Sequence, residues 1–290
     1  MRNSVLAGSM AGMASSIVCY PFELLRIKIQ TQALETGSAG VVGTFRQTIQ
    51  NGGFRALYTG LSLPLGAQAF YKATVFTVNN LTEKAIIERG TKNKLKRGSL
   101  DTYKLTVADR FFSGFVGGFI NSALFVTPVE YVRNQQIYNK RGSRRIGPIV
   151  VIKRTLRSDG IFGFWRGMPG ALLRDSVGCG CFFVAMSSSQ EFLSPNNDQP
   201  SAMVIAASGA LAGLSFWVWS LPIDTMKTWI QNGSAKNLRH AFQLAFKEGF
   251  VKGLYTLSRG WPVAYGRGAP AAVITVSTYS FAYKFLTERE

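Results

Sequence analysis

Six long stretches of the chain are almost free of charge, and shorter charged segments separate them. Ser201–Ile223 runs for 23 residues without a charged side chain, and Val5–Tyr20 runs for 16. About 20 apolar residues span the core of a bilayer, and an α-helix satisfies its own backbone hydrogen bonds there. We therefore predict an all-α membrane protein. Its six transmembrane helices are expected at residues 4–32, 61–88, 104–138, 168–193, 201–232 and 261–287.

The connections between these stretches are basic, in a chain of 290 residues with a net charge of +18. Basic loops beside apolar spans are typical of membrane proteins near anionic headgroups. Nucleic-acid binding is the alternative for so basic a chain, but no recognition module is visible, so no nucleic-acid partner is expected. The basic clusters are Lys92, Lys94, Lys96 and Arg97 in one connection, and Lys140, Arg141, Arg144, Arg145, Lys153, Arg154 and Arg157 in another.

Several kinds of chemistry lack the residues that they need. The three cysteines include the pair Cys179 and Cys181 at C-x-C spacing, and His240 is the one histidine. This set supports neither a zinc site nor a Ser-His-Asp triad. It also excludes a disulfide-dense secreted scaffold. We therefore expect no enzymatic activity, no metal and no cofactor.

An internal repeat organises the chain. A hexapeptide of the form Pro-x-acid-x-x-base closes the first, third and fifth apolar stretches, and its prolines lie 107 and 94 residues apart. Three copies in register with six spans indicate three repeats, at residues 1–90, 104–193 and 200–290. The copies are Pro21-Phe-Glu23-Leu-Leu-Arg26, Pro128-Val-Glu130-Tyr-Val-Arg133 and Pro222-Ile-Asp224-Thr-Met-Lys227.

A pair of glycines four residues apart precedes each hexapeptide. Small residues at this spacing let two helix backbones approach closely in lipid. We therefore expect each odd-numbered span to pack closely against another helix through its pair. The pairs are Gly8/Gly12, Gly114/Gly118 and Gly209/Gly213.

These repeats resemble those of the mitochondrial carrier family over nearly the whole chain. The resemblance implies a single domain of six transmembrane helices in three pseudo-threefold repeats around a central cavity, with a short amphipathic matrix-side helix in each repeat. It also implies a multi-pass protein of the mitochondrial inner membrane with both termini in the intermembrane space. Transporters built from repeats commonly bind their substrate near the membrane midplane.

The hexapeptides predict a gate on the matrix side. Proline kinks a helix, and an acid and a base three residues apart lie near one helix face. The resemblance implies that acids and bases of neighbouring repeats pair in a ring. It also implies glutamine braces nine residues after proline, which Gln30 and Gln231 match and Ile137 does not. The expected pairs, subject to the direction around the ring, are Glu23 with Lys227, Glu130 with Arg26 and Asp224 with Arg133.

The opposite gate is poorer in charge. The resemblance implies an acid and a base near the far ends of the even-numbered helices, and this chain has neither there. Polar contacts through Asn79, Ser187 and Gln190 are the substitutes that the sequence offers. We expect a chain that favours the state open to the intermembrane space, or one that does not cycle like its relatives.

Ionisable residues within the spans are costly in lipid and are functional candidates. Arg174 and Arg267 each lie seven residues after a repeat glycine, where the first repeat has Ala67. The resemblance implies substrate contacts at these positions, and Arg174 followed by Asp175 resembles the branch that carries amino acids and carnitine-like zwitterions. Arginine suits a carboxylate and Asp175 suits an amine; alternatively, the two residues only hold helices together. The predicted substrate-binding residues are Arg174, Asp175, Arg267, Gln68, Tyr71 and Lys72.

Glycines that follow the loop helices, and glycines at the starts of the even-numbered helices, are candidate lipid sites. Exposed amides at helix starts favour phosphate, and the resemblance implies cardiolipin there. Ordinary helix capping is the alternative. The glycines are Gly52, Gly60, Gly160, Gly167, Gly249 and Gly260.

These features together predict a mitochondrial carrier that exchanges a small charged solute by alternating access. Inner-membrane lipids including cardiolipin are the expected partners, and we expect a monomer or a subunit bound within a larger membrane complex. Two alternatives remain open. One is a carrier fold retained as a structural subunit, and the other is a carrier of an anion such as a nucleotide, coenzyme A or a carboxylate.

Overall fold

The computed structural model describes residues 2–34, 40–96, 103–138, 146–195 and 201–287. In these ranges the chain forms α-helices, short 3-10 helices and one π-helical turn, with no β-strand. The α-helices are α1 Arg2–Thr31, α2 Val41–Gly52, α3 Ser62–Lys96, α4 Val107–Asn121, α5 Thr127–Ile137, α6 Pro148–Ser158, α7 Met168–Leu193, α8 Ala202–Gln231, α9 Leu238–Phe246, α10 Phe250–Leu257, α11 Trp261–Gly266 and α12 Gly268–Thr287.

Six long helical segments match the six predicted spans. They are α1, α3, α4 with α5, α7, α8, and α11 with α12. The third segment begins at Val107, later than predicted, because Thr106 and Asp109 form a reciprocal capping box there. The second segment continues to Lys96, beyond the predicted end at residue 88. The sequence therefore located every long helix and misplaced some of their ends.

Hydropathy alone supports only part of this assignment. By length and composition, two described helical segments are apolar enough to cross a membrane, Val107–Ile137 and Met203–Gln231. The other four segments are assigned by their place in the repeat. The bundle has a motif end, which holds Pro21, Pro128 and Pro222, and an opposite terminal end, where α1 begins and α12 ends.

A short amphipathic helix lies in each repeat at the motif end. These helices are α2, α6 and α9, and each buries residues four apart, as a helix with one apolar or neutral face must. The buried pairs are Thr44 and Thr48, Val151 and Thr155, and Ala241 and Ala245. This arrangement agrees with the predicted loop helices.

The long segments pack side by side in chain order and close on themselves. Helix α3 packs on α4, α4 on α7, α7 on α8, and α12 returns to α1. Contacts between α8 and α12 and between α1 and α3 are sparser. Tryptophan side chains add hydrogen bonds between elements: Trp165 Nε1, on a short 3-10 helix, donates to the Ala123 carbonyl at 2.7 Å, and Trp229 Nε1 of α8 donates to the Gln30 carbonyl of α1 at 2.8 Å.

The glycine pairs do not all pack as predicted. A Cβ on Gly114 would lie 2.6 Å from the carbonyl oxygen of Cys179, and one on Gly118 would collide with that of Asp175, so α4 and α7 are in backbone contact. Around Gly209 and Gly213, no described atom outside the helix lies within 4 Å of the Cβ position. The prediction of close packing is therefore wrong for the third repeat, because α8 turns this face toward open space.

Some sequence-based expectations lie outside the described residues. They concern Arg97, the cluster Lys140, Arg141, Arg144 and Arg145, and the surroundings of Gly8. In the described part of the second basic connection, Arg154 and Arg157 are exposed on α6.

The glycine contacts predict opposite effects of the same substitution. Gly118→Ala should destabilise the protein by about 1–3 kcal/mol, because the new methyl group overlaps the α7 backbone. The matched variant Gly209→Ala should be neutral or slightly stabilising, since alanine favours the helix and meets open space. Thermal unfolding in detergent measures both effects. Equal melting temperatures for the two variants would contradict the packing described above.

Candidate functional site

The three charged hexapeptides converge at the motif end of the bundle. Pro21 lies within α1 and Pro222 within α8, while Pro128 occupies the first turn of α5, directly after a π-helical turn at Ser122–Val126. The acids and bases that follow these prolines point into the space between the long helices, where they are buried or nearly so. Buried charges are stable only when paired.

Three ion pairs link the repeats in a ring. Arg133 Nη1 lies 3.1 Å from Glu23 Oε2, and the other two pairs are also in direct contact. The ring runs opposite to the predicted direction, so the predicted partners were wrong although the participating residues were right. The observed pairs are Glu23 with Arg133, Glu130 with Lys227, and Asp224 with Arg26.

The direction of the ring follows from three glycines with positive φ. Gly60, Gly167 and Gly260 have φ of 84°, 82° and 92° and precede the even-numbered segments. A Cβ on Gly60 would lie 3.1 Å from Cγ of Arg133, which places that base against the first repeat and beside Glu23. The same relation places Lys227 against Gly167 and Arg26 against Gly260. Each base therefore pairs with the acid of the repeat that supplies its glycine.

The predicted substrate arginines also reach the acids of the ring. Arg174 Nη1 lies 2.7 Å from Asp224 Oδ1 and 3.1 Å from Glu130 Oε2, and it bridges two repeats. Arg267 contacts the free oxygen of Glu23. All three acids of the ring thus bind a second or third cation from α7 or from the α11–α12 segment.

Asp175 lies beside Arg174 and is buried. Its Oδ1 accepts from Arg174 Nε at 2.7 Å, and its Oδ2 is buried without a described hydrogen-bond partner. The Tyr71 hydroxyl is likewise buried without a described partner, within electrostatic range of Arg174 and Asp175. Gln68 is half-buried on the same helix as Tyr71, and no described side-chain bond involves it.

Two adjoining cavities lie on the side of the ring that faces the terminal end. The floor cavity, of about 320 Å³, is lined by Glu23, Arg26, Glu130, Arg133, Arg174 and Arg267 together with aromatic residues. The wall cavity, of about 430 Å³, extends from Arg267 along α8 to Ile205 and includes Lys72. The two share Phe182, Gly213, Trp217 and Arg267. The predicted residues Arg174, Arg267 and Lys72 therefore line open space, whereas Asp175, Gln68 and Tyr71 are absent from both linings.

Trp217 is a site residue that the sequence did not reveal. Its ring lies 4.4 Å from Cζ of Arg26 and 6.0 Å from Cζ of Arg267, within the range of cation–π contacts. The sequence feature that could have identified Trp217 is its position five residues before Pro222, which places it in the same interior region as the hexapeptide.

The two glutamines at the brace positions bind other partners. Gln30 Nε2 donates to Thr225 Oγ1 at 3.1 Å, and the Gln231 side chain bonds Asn134 and the Arg166 carbonyl. Neither forms a described bond to an ion-pair member, so the prediction of braces is wrong. The reason is that both lie one helical turn beyond the bases, where they join α8 to α1 and α5 below the ring.

The terminal end carries a different ion pair from the one that the family pattern led us to seek. Arg110, near the start of α4, contacts Glu191, near the end of α7, and Glu191 is 64% exposed. Asn79 is buried with its Oδ1 unpartnered among the described residues, and no described side-chain bond involves Ser187 or Gln190. This pair lies within one repeat and coexists with the closed ring, so it is not an alternative closed gate.

The candidate lipid glycines fall into two groups. Gly60, Gly167 and Gly260 are buried against the bases of the ring. In the other group, Gly160 and Gly249 have positive φ, but in the first repeat Gly53 has it instead of Gly52, because Gly52 is the last residue of α2. Gly53 is therefore the structural equivalent, and cardiolipin binding stays a prediction.

Comparisons with known proteins agree with this arrangement. The family model "Mitochondrial carrier protein" matches residues 1–90, 103–197 and 198–290. The chain belongs to the mitochondrial carrier family. This carrier is therefore a six-helix transporter of the mitochondrial inner membrane, and it spans the membrane several times.

Its relatives are similar over nearly their whole length. A mitochondrial carnitine/acylcarnitine carrier-like protein of Arabidopsis thaliana is 29% identical, with 91% of this chain and 92% of the relative covered. The mitochondrial arginine transporter BAC2 of the same plant is 28% identical, with 97% and 90% covered. Solute carrier family 25 member 47-B of Danio rerio is 25% identical, with 97% and 98% covered.

A double-mutant cycle tests the direction of the ring. Arg26→Gln and Asp224→Asn should be coupled by about 0.5–3 kcal/mol in thermal stability, because the two side chains are in direct contact. The control cycle of Arg26→Gln with Glu130→Gln should show weaker coupling than the first cycle, because no described contact joins those two residues and they are linked only through Asp224 and Arg174. Coupling in the control cycle alone would restore the direction first predicted.

Proposed function

We propose that this carrier exchanges a small zwitterion that bears a carboxylate, either an amino acid or a carnitine-like molecule, by alternating access. The proposed orientation places the motif end toward the matrix. The observation that carries the proposal is the double use of Arg174 and Arg267. Each lines the floor cavity, and each also binds an acid of the ring.

This double use couples substrate binding to the gate. A substrate carboxylate in the floor cavity competes with Glu23 for Arg267 and with Asp224 and Glu130 for Arg174. A guanidinium that turns to the substrate leaves the acids of the ring with fewer cations, so the ring weakens. A ligand shifts a conformational equilibrium only by its differential affinity for the two states. Here that difference arises because the bound carboxylate replaces contacts which hold the gate closed.

The same movement frees a site for an ammonium group. In the closed ring, Asp175 is neutralised by Arg174. When Arg174 turns to a substrate carboxylate, Asp175 loses its partner and a buried carboxylate needs a new cation. A zwitterion supplies both groups at once. The names of two relatives, an arginine transporter and a carnitine/acylcarnitine carrier-like protein, fit this substrate class.

One observation favours an anionic substrate as the second candidate. The gate and the cavities together hold six basic and four acidic side chains, an excess of two positive charges. The basic residues are Arg26, Arg133, Lys227, Arg174, Arg267 and Lys72, and the acidic ones are Glu23, Glu130, Asp224 and Asp175. A mono- or dicarboxylate would neutralise this excess without using Asp175.

Replacement of Asp175 separates the two candidates. Asp175→Asn should weaken zwitterion binding by about 10–100-fold, the usual loss for a hydrogen bond to a charged group. The exposed Asp159→Asn is the matched control and should behave as the parent. Ligand-induced shifts in melting temperature, followed by exchange in proteoliposomes, measure the effect with amino acids, carnitine and dicarboxylates. Unchanged transport of a zwitterion by Asp175→Asn would contradict the proposal, and a response to dicarboxylates alone would favour the second candidate.

A further inference from the structure

The three repeats differ at the seam between their own two long helical segments. In the first repeat, Lys72 fills the seam, since a Cβ on Gly12 would lie 2.6 Å from its Nζ. In the second repeat, Gly114 and Gly118 bring α4 into contact with the α7 backbone. In the third repeat, the face of α8 that carries Gly209 and Gly213 meets open space, and the wall cavity occupies it.

This cavity is apolar along α8 and carries two positively charged side chains on its other walls. Its α8 side is formed by Ile205, Ala206, Ala210 and Leu214 besides the two glycines. The end nearest the ring reaches Arg267, which the wall cavity shares with the floor cavity. Arg267 and Lys72 are the charged side chains among its described lining residues, and both are positive. The cavity therefore disfavours an ammonium group and suits an uncharged chain attached to an anionic head.

We propose that the wall cavity holds an apolar chain of the transport substrate while the carboxylate of that substrate occupies the floor cavity. The inference rests on the proposed function and narrows its substrate class to zwitterions that carry an alkyl or acyl chain. Small side chains on α8 make the space, and the shared lining residues connect it to the charged floor. That connection argues for a substrate chain in this space and against a membrane lipid.

Chain length is the variable that tests this inference. The probes are two series, carnitine with its acyl esters of increasing chain length, and fatty acids such as octanoate, which carry a chain and a carboxylate but no ammonium group. Binding is measured as ligand-induced melting shifts of the full carrier in lipid nanodiscs. Each methylene that is buried should raise the affinity by up to about fourfold. An affinity that rises with chain length until the cavity is filled is the expected result.

Two variants locate the chain. Gly209→Leu fills the wall cavity and should lower the affinity ratio of a long ester to carnitine at least tenfold. Ala207→Leu places the same leucine side chain at an exposed residue of α8 that is absent from the cavity lining, and it should keep the parent ratio. Ala210→Leu replaces Gly209→Leu as the filled variant if the latter fails to fold.

The outcomes separate this inference from the proposed function. If carnitine binds and a longer chain gives no gain, the proposed function stands and this inference is overturned. If the filled and control variants lower the affinity ratio of long ester to carnitine equally, the acyl chain of the ligand lies elsewhere or in lipid. That result also overturns the inference. If octanoate binds in the cavity-dependent way and no zwitterion does, the chain site is upheld and the zwitterion proposal fails. If neither series binds, both fail.

Discussion

The structure depends on one constraint, which is that charges enclosed by the bundle must be paired. Glu130, Asp224 and their partners are at most 13% exposed, and an unpaired charge at such a place costs several kcal/mol. Pairing fixes the motif end because each ion pair joins two different repeats. It also explains the repeat glycines with positive φ, since a side chain at Gly60 would displace Arg133 from its acid.

Much of this arrangement was predictable from the sequence because it repeats. Hydropathy and the three hexapeptides indicated six helices, the all-α class and the residues of the ring. The direction of the ring was not predictable, since spacing within one helix places Glu23 and Arg26 on one face without telling which neighbour each meets. That choice is made by glycines of other repeats, such as Gly167, which is 60 residues from Lys227 in sequence, and Gly60, which is 73 residues from Arg133; these glycines direct each base to one side. The packing of the glycine pairs was not predictable for a similar reason. The same four-residue spacing gives a tight helix contact at Gly118 and lines a cavity at Gly209.

The predicted substrate arginines and the ion-pair ring form one network of contacts. Arg174 and Arg267 were predicted to bind substrate near the midplane. In the described structure, both form ion pairs with acids of the ring. Under the proposed function, the substrate therefore competes for cations that the ring already uses. The terminal end lacks such a network among the described residues, because its interhelical ion pair, Arg110 with Glu191, joins helices of a single repeat at the surface. The described state is therefore the one that the buried charges favour.

The central claim is that the pairing of Arg267 with Glu23 helps to hold the motif end closed until substrate replaces it. Double electron–electron resonance tests this claim directly, because it measures the distance between two spin labels. The labels are attached at the exposed positions Val150 on α6 and Val251 on α10, in a variant with Cys19, Cys179 and Cys181 replaced. The account predicts one short distance without ligand, and a second, longer population in the Arg267→Gln variant or when a transported zwitterion is added to the parent. A distribution that neither change affects would contradict the account.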